Sequence, residues 1–415
     1  MLSKLHQLGI VGTKNVNEVY SLICCNPVTE DCLFRMFSKC NTKKLTFKSE
    51  ADEMLDDISY YQWNTTKKSV MVKGVEKIIS VTEKEKVCTK METLLKVSTE
   101  SLPNLMKHEA NHRHQYQVLT QLKNNLSEDT LVFHIDFSEN YACKLHTETQ
   151  SFRFGGSRNQ VTLHTGMIYY RNPDEYIRQA FCTISSSLRH DPCGVWAHLK
   201  PVFDHVLRQN INVKQLHIIS DSPTSQYRNK RNFYLFTKEL VKYFPALTSA
   251  TWNYTESGHG KGAPDGIGSV IKQSADKAVA EGNDIPNTDA LFKVLKTRCP
   301  GVFTTMVSES DINEIEKALP QFIKLLVGTM KVHQISWCKT KPLSIDARSL
   351  SCFQCKPDDC IHYHIKSHSY DEVVENYDIG VNNWVAVRFE DEWFPGEVIE
   401  IIGEDIKVNF MIRAR

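Results

Sequence analysis

From Thr130 onward the chain alternates between two textures, and their order constrains its fold more than any other feature. The strand-like runs LVFHIDF and VTLHTGMIYYR flank a turn-like SFRFGG. They are followed by the helix-like DPCGVWAHLKPVFDHVLRQN, the apolar run QLHIIS, the amphipathic RNFYLFTKELVKYF, the strand candidate ALTSATWNY and the helix-opening PDGIGSVIKQSADKAVAEG. Short β-branched and aromatic runs bounded by turn residues read as strands, and apolar residues at three- and four-residue spacing read as helices. Asp191 is placed to cap the first of these helices, and Pro264 lies in the first turn of the last. Strands followed by alternating helices and strands predict an α/β fold, a mixed sheet flanked by helices.

The flanks differ in texture. Residues 1–45 form a cysteine-rich segment, and residues 46–126 read as a helical region with charges between apolar positions. The α/β domain is set at 127–335, with DINEIEKALPQFIKLLVG as a late helix. A Cys/His cluster follows at 345–370, and a β-rich module at 376–415. Hydrophobic content of 41% and charged content of 24% are ordinary for a globular chain of 415 residues. A net charge of +1 excludes a uniformly basic nucleic-acid coat but not a local basic groove. The first twenty residues lack the apolar core of a secretory signal, and no stretch approaches the ~18 apolar residues of a membrane span. An intracellular protein with no membrane partner is therefore expected, whose 13 cysteines are free thiols or metal ligands.

Asp136 closes LVFHIDF and Asp221 follows QLHIIS, where strand ends meet a ligand crevice. Glu256 and Asp265 follow the last strand. Convergent carboxylates are what Mg²⁺ (or Mn²⁺) needs, and such ions run phosphodiester chemistry. The glycines of GHGKGAPDGIG allow close backbone approach. His259 is a proton-shuttle candidate, and Arg228, Lys230, Arg231 and Lys261 are candidates for neutralising DNA phosphates. The bland alternative is that each acid caps its own helix or turn.

The segments HIDFSENY, SDSPTSQYRNK and WNYTESGHGKGAPDGIG resemble the RNase H-like catalytic core of DDE/D transposases. They resemble more closely a group of transposon-derived animal proteins that share the pattern DFxENY…TLHTG…SDxxxxQYRNK…HGKGxxDGxG. The resemblance covers roughly residues 100–300. It implies a metal site of Asp136, Asp221 and a third acid, Asp265 by preference and Glu256 as the alternative. It also implies strand cleavage by water, then attack of a 3′-hydroxyl on target DNA. Asn140 and Gln226 would position substrate or brace the loops, and a nuclear location follows from the DNA reading. A homo-oligomer is compatible with it.

Two further clusters carry metal chemistry. CFQCKPDDCIHYHIK offers Cys352, Cys355, Cys360 and His362, with His364 nearby, as zinc ligands or as free core thiols. Cys25, Cys32 and Cys40 are more loosely spaced. His108, His112 and His114 could join them, although buried thiols and solvated histidines are the preferred reading there. At the C-terminal end WVAVRFEDEWFPGEVIEI resembles the start of a Tudor or SH3-like barrel. Trp393 and Phe394 could cage a methylammonium of a histone tail or methylated peptide, with Trp384 and Phe389 filling the core. The leading expectation is a metal-dependent transposase-like protein. Its competitors are a non-catalytic chromatin or DNA-binding adaptor and a metal-dependent hydrolase of small phosphoesters.

Overall fold

The computed structural model describes residues 2–47, 56–72, 75–148, 158–209, 211–355, 360–370, 379–389, 392–402 and 405–410. SFRFGG falls outside the described residues. The chain divides into two units, Met1–Tyr370 and Asp371–Arg415.

Three short helices, α1 (Leu2–Gln7), α2 (Val16–Ile23) and α3 (Glu30–Leu33), open the first unit. The expected helix over 46–126 is then corrected. Residues Asp57–Val72 (β1) and Val75–Lys90 (β2) form an antiparallel hairpin, and the helix α4 covers only Met91–Asn124. The reason lies in side-chain chemistry. ISYYQWNTT and IISVT are rich in β-branched and aromatic residues, and the charges of EKEK alternate with period two, which suits a pleat. Among the described residues only the base of the hairpin is anchored: Tyr60, Ile58 and Val87 pack with Leu94, Leu95 and Leu5.

Next come β3 (Thr130–Ala142), β4 (Gln160–Arg171), β5 (Tyr176–Ser185), the helix α5 (Pro192–Leu207), β6 (Gln215–Ser220), α6 (Lys230–Tyr243), β7 (Ser249–Tyr254) and α7 (Ala263–Ala280). Asp191 caps α5 by accepting from the Gly194 N–H, and Asn229 caps α6. The helix α8 (Thr288–Arg298), the strand β8 (Val302–Met306) and the helix α9 (Glu309–Lys317) follow. The late helix is thus shorter than its sequence pattern suggests. It ends before Pro320, which cannot continue the ladder.

The strands β9 (Gln334–Cys338), β10 (Ser344–Arg348) and β11 (His364–Ser369) complete a nine-stranded sheet of order β11-β10-β9-β7-β6-β3-β4-β5-β8. The boundary expected at 335 therefore dissolves, because the Cys/His segment contributes an edge of the same sheet. At the centre β3 is antiparallel to β4 and parallel to β6, and β6 is parallel to β7. The inner strands are buried on both faces, which explains their near-continuous apolar runs. One face is covered by α5 and α6, through Trp196, Phe203 and Phe236 against Trp252 and Phe133. The other is covered by α7 and α8, through Ile267, Ile271 and Leu291 against Leu163 and Ile184. Among the described residues no helix is long and apolar enough to cross a membrane.

The second unit is a three-stranded antiparallel sheet of β12 (Trp384–Phe389), β13 (Glu392–Ile402) and β14 (Asp405–Phe410). Val398 is buried within it, and the Phe394 ring meets Phe410 edge-on at 6.3 Å between centroids. Trp384 is 57% exposed rather than a core residue. The side chains of Trp393 and Phe389 lie outside the described residues.

Candidate metal and acid site

The β3–β6 register runs from Thr130↔Gln215 to His134↔Ile219. Continued two residues further on each strand, it sets Asp136 beside Asp221. Adjacent strands lie ~4.8 Å apart, so two carboxylates meet at the mouth of the sheet. One detail differs from the sequence reading. Asp221 does follow the last residue of β6, but Asp136 is not terminal, because β3 runs on to Ala142 against β4. Asp136 is at the mouth because β6 ends there.

Asp136, Asp221, Glu256 and Asp265 all line one cleft of about 510 Å³, together with Ser222, Thr255 and Lys261. Burial, and then the charges of Asp221 and Asp265, push the Asp136 carboxyl up to about 7. Burial, and then Asp265, push Asp221 up to about 6. Asp221 Oδ1 is buried without a hydrogen-bond partner. Two half-buried acids facing a third are an unbalanced negative cluster, which a divalent cation would neutralise.

The glycine loop is shaped to reach this cluster. A Cβ on Gly260 would stand 2.9 Å from Asp221 Cβ, and one on Gly262 would stand 2.5 Å from the His134 ring. Only glycine lets the loop lie so close. Asp265 sits in the first turn of α7, exposed, with Oδ2 accepting the Gly262 N–H at 2.8 Å. The capping role and the cleft position therefore coexist in one carboxylate.

Glu256 is engaged differently. Its two oxygens meet His108 Nδ1 at 3.1 Å and His333 Nε2 at 3.0 Å. Burial opposes ionisation, but the hydrogen bond and charge of His333, with Asn111 and His108, outweigh it and hold the carboxyl at about 2. This acid ties α4 and the approach to β9 onto the loop. Among the described residues His259 does not line the cleft but stacks on His112 at 3.7 Å between centroids. His114 bridges Glu30 and the Ser351 carbonyl oxygen. The less favoured option, that His108, His112 and His114 join the N-terminal cysteines, is not taken: α4 spends all three elsewhere.

The basic candidates separate. Lys261 lines the cleft, and Lys230 is exposed at the start of α6. Arg231 is exposed and lies 4.0 Å from Glu316. Arg228 is buried and donates to the Met330 and Val332 carbonyl oxygens, so its guanidinium braces the cleft floor. Two more residues of QYRNK are structural, since Tyr227 is buried near Asp136 and Asn229 caps α6. Asn140 reaches Gln160 across the β3–β4 pair, and Gln226 donates its backbone N–H to Pro223. Sequence reasoning missed His333, Asn111 and Thr255. Nothing local marks them, because their roles exist only across the loop.

Both cysteine clusters come together. The ligand atoms of Cys352, Cys355, Cys360 and His362 all lie within 4.8 Å of one another, as do those of Cys25, Cys32 and Cys40. His362 Nδ1 is 3.7 Å from Cys352 Sγ and 3.2 Å from Cys355 Sγ. A tetrahedral ion with ~2.3 Å metal–sulfur bonds places its ligands ~3.7 Å apart, so the donor set fits a metal such as zinc. His364 turns away, to Ser367 and Asp346.

A family model described as a domain of unknown function (DUF8701) matches residues 115–349. The match contains all four acids and excludes the hairpin and both cysteine clusters. No curated protein matches the chain. No solved structure matches it.

Proposed function

The chain belongs to the DUF8701 family, and we propose that it is a transposase-like or transposase-derived protein that cleaves and joins DNA strands with magnesium or manganese. The observation that carries this reading is the register that sets Asp136 beside Asp221, both with raised proton affinity, across from Asp265. The order β5-β4-β3-β6-β7, antiparallel as far as β3 and parallel beyond it, supports an RNase H-like reading of the sheet. Asp136, Asp221 and Asp265 would hold the ion. Bound there, it would activate the attacking oxygen and stabilise the leaving one. Lys261 neutralises strand phosphates at the cleft, Lys230 does so from the exposed start of α6, and Arg228 keeps the floor rigid. The Cys352 centre is read as closed structural zinc, given three thiolates and one imidazole. A nuclear location follows from a DNA substrate. The second unit is read as part of a Tudor or SH3-like module for a histone tail or methylated peptide.

A second reading, a non-catalytic DNA-binding adaptor, is favoured by the capping bond from Asp265 to Gly262. Plasmid nicking and oligonucleotide strand transfer with Mg²⁺ or Mn²⁺ separate the two. Metal-dependent cleavage that falls at least about a hundredfold in Asp136→Asn and Asp221→Asn supports the enzyme. DNA binding without cleavage in any metal supports the adaptor.

A further inference from the structure

We propose that the β1–β2 hairpin is an arm that grips duplex DNA through its outward face. Each strand has 16 residues, so at ~3.4 Å per residue the ribbon is about 50 Å long. A two-stranded ribbon of that length is marginal alone in water, yet among the described residues only its base is packed. Its two faces differ. One carries Ile58, Tyr60 and Val87, which enter the core at the base. Further out on that face Glu83 pairs with Lys68, and Glu85 accepts from Asn64.

The other face is exposed at every described position except Ser59 and interleaves aromatics with lysines. Tyr61 opposes Lys86, Trp63 opposes Lys84, and Lys67 opposes Ser80. Tyr61 is 60% and Trp63 71% exposed, and Lys84 Nζ lies 5.5 Å over the Tyr61 ring. Among the described residues no carboxylate pairs with Lys67, Lys84 or Lys86. The two acids on this face are engaged, Asp57 by Lys90 and Glu76 by Ser69. Uncompensated lysines between aromatics suit a phosphodiester backbone, and a two-stranded ribbon fits the major groove. A second copy of this face would set the same lysines against each other, which opposes self-pairing.

The inference shares its polymer with the proposed function but not its site, and the test separates them. Binding of a fluorescent DNA duplex by the full chain is followed by anisotropy over a salt series. Magnesium is omitted, and so are chelators, which leaves the cysteine centres undisturbed. The variants are the triple change Lys67→Glu, Lys84→Glu, Lys86→Glu, the milder triple change to Gln, and Trp63→Ala, with Lys68→Gln, on the opposite face and paired with Glu83, as the control. Both triple variants are expected to bind at least about tenfold more weakly, with the log–log salt slope reduced by about 3. Trp63→Ala weakens binding without changing the slope, and Lys68→Gln binds like the parent. Unchanged affinity and slope in the triple variants overturn the proposal, even if the chain binds DNA through its cleft. So does a parent chain that binds no duplex, or variants whose only change is lost self-association in sedimentation.

Discussion

His333 Nε2 holds Glu256 Oε2 at 3.0 Å while His108 takes the other oxygen at 3.1 Å. A carboxylate spent on two imidazoles is a tether, and this separates Glu256 from Asp265. Glu256→Gln is expected to lower stability by about 1–3 kcal/mol, because it removes charge-assisted bonds from a largely buried group. It should leave magnesium affinity near that of the parent. Asp265→Asn should do the reverse, weakening magnesium binding about tenfold or more with little change in melting temperature. Calorimetric titration and thermal melts of both variants check this. If Glu256→Gln were the one to lose magnesium, the assignment of the third acid would change.

The raised carboxyls make stability depend on pH. Asp136 at about 7 and Asp221 at about 6 hold protons more tightly in the folded chain than in the unfolded one. Their contribution is therefore complete below the unfolded value of ~4 and is lost as pH climbs through 6 and 7. Without magnesium the melting temperature should fall between about pH 4 and pH 7. Asp136→Asn should flatten that fall, and added Mg²⁺ should reverse it. A profile that ignores both the substitution and the ion would mean that the cluster is not coupled as described.

The glycine loop can be tested without touching an acid. In Gly260→Ala the new methyl meets Asp221 Cβ at 2.9 Å, and in Gly262→Ala it meets the His134 ring at 2.5 Å. Each should push the loop off the sheet mouth and cut metal-dependent cleavage by about tenfold or more, with a stability loss of about 1–3 kcal/mol from overpacking. Gly266→Ala, with nothing within 4 Å of its added Cβ, is the internal control and should be nearly silent.

Metal content of the purified chain tests the cysteine centres. Cys355→Ser should release the metal of the Cys352 centre, leave that of Cys25, Cys32 and Cys40, and lower the melting temperature. Elemental analysis of the parent, Cys355→Ser and Cys32→Ser reads the two centres separately. Equal metal content in all three would remove the zinc reading.

How much of this was legible in the sequence differs from residue to residue. The inner strands were readable because burial on both faces forces continuous apolar runs, as in LVFHI and QLHIIS. The helix starts at Asp191 and Pro264 were readable because capping is local. The hairpin was not. Its charges and apolar residues satisfy a loose helical spacing as well as a strict alternation, and only cross-strand pairing over sixteen rungs decides between them. His259 looked like a shuttle because it stands in the glycine loop, but side-chain direction is not written in spacing, and it stacks on His112.

By itself the sequence determined the local chemistry. It set which runs extend, which coil, where the chain turns, and which residues carry carboxylate, thiolate or imidazole, because backbone preference and burial period act over a few neighbours. The tertiary structure alone decided how these groups are spent. It set Asp136 beside Asp221 through a strand register, gave Glu256 to His108 and His333, closed Cys352, Cys355, Cys360 and His362 into one donor set, and buried Arg228 under the cleft. Those partnerships join groups far apart in the chain. They form only when burial of the shared sheet offsets the entropy of bringing such segments together.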